Sequence, residues 1–487
     1  MTIENIKTFA KQYYFIILII LLITDGIYSY HQFSLFSIDG DVARIAAPDT
    51  SYINVLNDPF GFGILKTGKI HAGSNRYFAH ITEFFYMREM PILLQEFVSP
   101  IDSIYITAAF AKTIIQSGMI LLLAAYISIP FGLKRNDFLI GALLICPLFQ
   151  VVGFYEYTAF IDGGITYALF YALPSMLLLV FLLPYYNKII TGKSSLSIYL
   201  KPIWLLLVIV LVFHGPLSGP VLLIICSTTL FYCWYTYWIR YPEKQFYNRI
   251  GSSVRSINKE LLFSFSFVII ISLYSFYIGK FNTENIINTI PIGERFTHLI
   301  QGLPIIFLEW SNGVLPLFIC ILINILLLFF IRGNVFKKIL TISGLLLLFS
   351  IIYIFLTPFG GYREYRYYIL RRDTIQPVMV CLYFIWGLTS LYILKNSNSF
   401  KYVYAFFLCI VCIFYTLSDP LPTHTNECER EMLHQLETTK TECVLLTKDC
   451  SVIGWVTYET CESTKNASVL LKHWNITSKE IRYYYKP

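Results

Sequence analysis

The chain has 487 residues, of which 56% are hydrophobic and only 14% charged. A soluble domain is about 45–50% apolar and about 25% charged, so this balance excludes a disordered chain and a disulfide-dense mini-scaffold. The formal net charge of +7 does not mark a nucleic-acid face. Its basic residues fall in short breaks between apolar runs, as the positive-inside rule produces. The expected fold class is an all-α polytopic membrane protein that binds no nucleic acid.

A helix needs about 20 apolar residues to cross the hydrocarbon core. The first run, 14–30, follows Lys7 and Lys11 and has no small-x-small cleavage site after it. It reads as a retained anchor rather than a signal peptide. Further runs lie at 103–127, 138–154, 164–185, 203–214, 218–239, 261–278, 313–331, 339–357, 375–394 and 402–417. The expectation is therefore about eleven transmembrane helices. Around His214, the prolines Pro216 and Pro220 mark either a tight turn or a broken helix.

Alternate loops carry the basic clusters: Lys134-Arg135, Lys188/Lys193/Lys201, 240–259, Arg332/Lys337/Lys338 and Lys395/Lys401. All fall on the side of Lys7 and Lys11, which makes the N-terminus cytoplasmic. The first outer loop, 31–102, and everything after Asp419 then lie outside. The expected location is a bacterial inner or plasma membrane. Residues 1–419 form the transmembrane domain and 420–487 a small exterior α/β appendage, with a helix at 427–440 and strands at 444–447, 452–458 and 469–474.

Seven cysteines lie in or at the ends of apolar runs, where they act as small hydrophobes. The other four, Cys428, Cys443, Cys450 and Cys461, sit in the polar tail and match no zinc spacing. On an oxidising face they imply two disulfides, with three connectivities open. Sequons begin at Asn466 and Asn475, relevant only in a host that glycosylates them.

Charges on the outer face are not explained by topology. Just past the first span comes Asp39-Gly40-Asp41, followed by Arg44. Two carboxylates there can hold a divalent cation such as Mg or Mn, or supply a general base, though Asp and Gly are also common in turns. Asp58, Arg76 and His80 follow. The apolar spacing over 76–97 predicts an amphipathic helix on the membrane surface, broken near Pro91. Glu156, Asp162 and Arg295 come from later outer loops. The densest feature is the Tyr362-Arg363-Glu364-Tyr365-Arg366 stretch with Arg371-Arg372, four arginines within ten residues on the outer side. Arginine forks suit phosphate oxygens, and the tyrosines suit sugars or lipid chains. An internal salt-bridge network with Glu364 and Asp373 is the other reading of this stretch. Lys112 is the charge noted within a span, where a lysine can snorkel.

The constellation resembles the GT-C type glycosyltransferases, polytopic enzymes with an acidic Asp-x-Asp-like motif just after the first span. The likeness covers the whole topology, while the matching motif is only Asp39-Gly40-Asp41. It implies transfer of a sugar from a polyprenyl phosphate or diphosphate donor to a glycan or lipid acceptor on the exterior face. By that resemblance Asp39 or Asp41 is the catalytic carboxylate, and arginines such as Arg363 and Arg366 hold the donor phosphate. Membrane lipid is an implied partner. A polysaccharide polymerase or ligase, and a transporter or flippase of a lipid-linked substrate, are the competing readings. The transporter is disfavoured by spans almost free of charge and by the lack of an internal repeat.

Overall fold

A computed structural model describes residues 3–50, 52–193, 200–240, 242, 245–287, 290–333, 335–397, 399–423 and 425–485, without the side chains of 3–12 and 286–287. The side chains of Lys7 and Lys11, used above for orientation, therefore lie outside the described residues. The chain is mostly helical. Among the described residues, seven helices are long and apolar enough to cross a membrane: Tyr13–Ser34, Pro100–Phe131, Ile165–Thr191, Ser218–Arg240, Lys259–Gly279, Phe336–Phe359 and Gln376–Asn396. Lys201–Val212, Val314–Phe330 and Lys401–Leu417 are shorter apolar helices. The run at 138–154 forms the 11-residue helix Arg135–Ile145 and a short 3-10 turn, because Pro147 and Gly153 prevent its continuation. A turn, not a continuous broken helix, separates Lys201–Val212 from Ser218–Arg240, and His214 bonds the Leu169 carbonyl at 3.0 Å.

Burial follows the same logic. Gln376–Asn396 is buried on nearly every side at the centre of the bundle. Tyr13–Ser34 instead exposes Ile16, Ile20, Ile23 and Ile27, an apolar stripe of the kind lipid covers. Lys112 does not snorkel. It is buried, donates to the Gly163 carbonyl at 2.6 Å, and lies over the rings of Phe33 and Phe36. Asp25 is a second charge within a span and faces Cys146.

Charge is segregated by end. Lys395 pairs with Asp137, and Arg135 lies over the Phe15 ring. Lys188 and Lys201 share Glu260, while Lys338 donates to the Ile190 carbonyl. At the opposite end the loops after 34, 153, 279, 356 and 417 touch one another. Asp419 there receives the backbone N–H groups of Val151, Val152 and Gly153 at 3.0, 2.7 and 2.7 Å.

The helix Tyr77–Leu94 runs through Pro91 without breaking. Proline removes the N–H that would have bonded the Met87 carbonyl. The indole N–H of Trp474 fills that place at 2.7 Å. This contact also docks the tail on the Tyr77–Leu94 helix.

The tail contains the helices Glu427–Thr438 and Lys465–His473 and a two-stranded parallel sheet, β1 (Cys443–Leu445) with β2 (Arg482–Tyr484). Two expected strands are absent. Residues 469–474 are helical or just past a helix, because Ala467, Leu470, Leu471 and Trp474 are buried at helical spacing. Residues 452–458 form an irregular loop, since Ile453 takes a φ of 43° and gives its N–H to Glu429 rather than to a strand. Cys428–Cys450 and Cys443–Cys461 are disulfide-bonded, and the other seven cysteines are free.

Candidate active site

Asp39 caps the helix Gly40–Ala46, its Oδ1 accepting the Asp41 N–H at 3.2 Å. Across the bundle end, Thr166 lies in the first turn of the span that begins at Ile165. Its backbone N–H donates to Asp39 Oδ2 at 3.0 Å and its hydroxyl to Oδ1 at 2.7 Å. A helix N-terminus is a natural seat for a carboxylate, since its first N–H groups lack partners within the helix.

Thr166 Oγ1 also stands 2.7 Å from Glu83 Oε1, on the fully buried inner face of Tyr77–Leu94. A hydroxyl has one hydrogen to donate. Both contacts are satisfied when Thr166 donates to Asp39 and a protonated Glu83 donates to Thr166. Burial and the neighbouring Asp39 push the Glu83 carboxyl well above the usual carboxylate range, which fits this arrangement. Burial likewise pushes Asp39 up, against the two bonds from Thr166.

Asp41 differs from Asp39. It lines a small, half-open cleft of about 70 Å³ with Tyr52, Arg76, His80, Tyr171 and Glu284. Burial, with the Asp39 charge beside it, pushes Asp41 up to about 6, opposed by the Trp455 indole and by Arg44. Burial holds the His80 imidazole down at about 4, so it is neutral near pH 7, and Nδ1 bonds the Arg76 carbonyl at 2.9 Å.

The arginines are arranged in two pairs, each on one carboxylate. Arg76 and Arg363 share Glu284, at 3.7 and 2.8 Å. Arg366 and Arg371 share Asp373, the latter at 3.4 Å. Four guanidinium groups thus meet two carboxylates, an excess of two positive charges that ionised Asp41 in the cleft reduces to one. Burial pushes Glu284 and Asp373 up, but their arginines hold both below the usual range. The Nε atoms of Arg76 and Arg366 and one terminal nitrogen of Arg371 are buried without a partner among the described residues. Arg366 donates to the Tyr171 hydroxyl at 2.7 Å, leaving that O–H to point to another acceptor. Both Arg366 and Arg371 lie over the ring of Tyr365, which borders the cleft.

The structure therefore brings Asp41, Arg76, His80 and Tyr365 into one cleft, with Arg366 and Arg371 directly behind its tyrosines. Other candidates stand elsewhere. Arg372 is buried on Asp162, whose carboxylate also accepts the Gly164 N–H at 2.9 Å. Glu156 contributes its backbone carbonyl to the Arg372 N–H at 2.8 Å. Arg295 straps loop carbonyls, with Gly360 at 2.7 Å, and Asp58 accepts the Ile64 N–H at 3.2 Å. Tyr362 is buried near His298, and Arg44 is exposed over Tyr52 and paired with Asp49 at 3.9 Å. Of the two salt-bridge partners expected for the loop, Asp373 takes Arg366 and Arg371, whereas Glu364 makes no ion pair among the described residues; Arg363 is taken instead by Glu284, from a different loop.

Protein donors engage both oxygens of the Asp39 carboxylate, two bonds falling on Oδ1 and one on Oδ2. Among the described residues no group of three or more His, Cys, Asp and Glu side chains could hold a metal ion. Residues missed in the sequence include Glu83, Thr166, Glu284 and Trp455. For Glu83 a signal existed: with His80 and Met87 it forms a buried i, i+3, i+7 stripe on an amphipathic helix.

No protein-family model, no curated protein and no solved structure matches this chain.

Proposed function

We propose that this chain is a GT-C type membrane glycosyltransferase, moving a sugar from a polyprenyl-phosphate donor to a glycan or lipid acceptor outside the membrane. The observation that carries the reading is one cleft lined by both Asp41, raised to about 6, and the cationic Arg76. A carboxylate with that affinity for protons is suited to take one from an acceptor hydroxyl near neutral pH. The excess positive charge suits the lipid phosphate, whose negative charge grows as the sugar leaves. Arg76 and the Tyr171 hydroxyl, the latter polarised by Arg366, are its nearest donors. Asp39, engaged by Thr166, positions the loop that carries Asp41. No step is assigned to a cation.

An eleven-span topology with a cytoplasmic N-terminus is part of this proposal. Its support is that the outer loops touch one another, so an even number of crossings must separate each pair. That requires the short helices Arg135–Ile145, Lys201–Val212, Val314–Phe330 and Lys401–Leu417 to return the chain across the bilayer. The site then opens to the exterior of a bacterial inner or plasma membrane.

The test is transfer of labelled sugar from a panel of polyprenyl-phosphate sugars by the full chain in nanodiscs. D41N should lower transfer by about 100-fold or more. Unchanged transfer in both D41N and D39N/D41N would refute the assignment and leave the polymerase or ligase reading, which does not need these carboxylates.

A further inference from the structure

The C-terminal tail reaches the cleft at Asp41. Gly454-Trp455 packs so closely on Gly40 that a Cβ at Gly40 would lie 2.7 Å from the backbone nitrogen of Trp455. The indole lies against Asp41 and edge-on to Tyr167, with ring centroids 5.8 Å apart. Yet Trp455 remains 51% exposed.

This exposed ring stands on an unusually constrained loop. Glu429, itself buried, receives the Ile453 N–H at 2.8 Å on one oxygen. Its other oxygen receives the Ile38 N–H at 3.0 Å and the Tyr105 hydroxyl at 2.9 Å. One carboxylate thus ties the residue before Asp39 to a residue two before Trp455. Ile453 sits in the left-handed region, costly for a β-branched side chain, and is fully buried. The Cys428–Cys450 bridge fastens the start of the same loop to the helix that carries Glu429. A large aromatic surface is thereby held rigid, open to solvent and in contact with the candidate base.

A rigid aromatic face of this kind suits a ligand with an apolar side and a polar rim, at little cost in conformational entropy. A pyranose has that form: its C–H face packs on the ring while its hydroxyls point outward. We propose that Trp455 is the stacking platform of an acceptor-sugar subsite, supplied by the tail, which sets a pyranose hydroxyl against Asp41. The inference rests on the transferase reading and names its acceptor class. In the transfer the acceptor oxygen bonds to the anomeric carbon of the donor and its proton passes to Asp41. The bond from that carbon to the phosphate oxygen breaks, and its electron pair leaves with the polyprenyl phosphate.

The experiment uses the full chain in nanodiscs and a panel of p-nitrophenyl pyranosides, with binding read by saturation-transfer NMR. At least one pyranoside should bind the wild type, and W455A should weaken it about tenfold or more. W455F, which keeps an aromatic face, should retain binding. Absence of pyranoside binding in the wild type, or equal binding in W455A, overturns the subsite. Transfer that W455A leaves intact also overturns it while sparing the transferase reading. Trp455-dependent pyranoside binding without transfer from any polyprenyl-phosphate sugar instead overturns the transferase reading.

Discussion

Thr166 grips Asp39 at two points, its hydroxyl 2.7 Å from Oδ1 and its backbone N–H 3.0 Å from Oδ2. The two residues are 127 positions apart, and their contact joins the segment after the first helix to the start of the apolar helix Ile165–Thr191. Thr166→Val keeps the shape but removes the hydroxyl, leaving Asp39 and Glu83 without their shared partner. Such a loss costs about 1–3 kcal/mol. The unfolding midpoint in nanodiscs should fall in T166V and stay near the wild-type value in T166S.

The acid limb of the transfer rate should report Asp41. A base works only when ionised, so kcat/KM should rise with pH through about 6 and then level off. In D41N this limb should vanish, along with most of the rate. A profile of unchanged shape in D41N would assign the proton to another group.

Arg372 and Arg76 should fail in different ways. Arg372→Ala leaves Asp162 buried and unpaired, a change that costs about 3–5 kcal/mol. It should lower the unfolding midpoint, and D162N added to it should recover part of the loss. Arg76→Ala should leave the midpoint nearly unchanged and weaken binding of polyprenyl phosphate, measured by titration in nanodiscs. Equal affinity in R76A would remove its phosphate role.

The tail should be more stable in mild acid than in base. Burial pushes Glu429 up to about 7, against the bonds from Ile453, Ile38 and Tyr105 and the nearby Arg430. The folded state then binds this proton more tightly than the unfolded chain, where a glutamate titrates at about 4.3. Its contribution is complete below that pH and is lost as pH rises through about 7. Protease resistance of 425–485 should fall over this window in the wild type and stay flat in E429Q.

Much of the architecture was legible in the chain because apolar length and loop charge are local properties. The runs around 14–30 and 375–394 read as helices from composition alone. Helix limits were less legible. Pro91 looked like a break, and only the distant Trp474 indole, which takes the freed Met87 carbonyl, lets the helix continue. In the tail, the Val469-Leu470-Leu471 run has strand-like composition, but its buried residues recur at helical spacing.

For the site, the Asp-Gly-Asp and the arginine-rich loop stood out because charge is scarce in a chain of this composition. Residue order alone made Asp39 and Asp41 nearly equivalent and the four loop arginines interchangeable. Packing separates them: Thr166 engages Asp39, Asp162 takes Arg372, Glu284 takes Arg363, and Asp41 is left facing the cleft. The sequence by itself determined a membrane chain with its unusual charge on one set of loops. Only the tertiary structure decided which charges neutralise one another, since a side chain's free hydrogen-bonding capacity depends on partners as far as 79, 127 or 210 residues away.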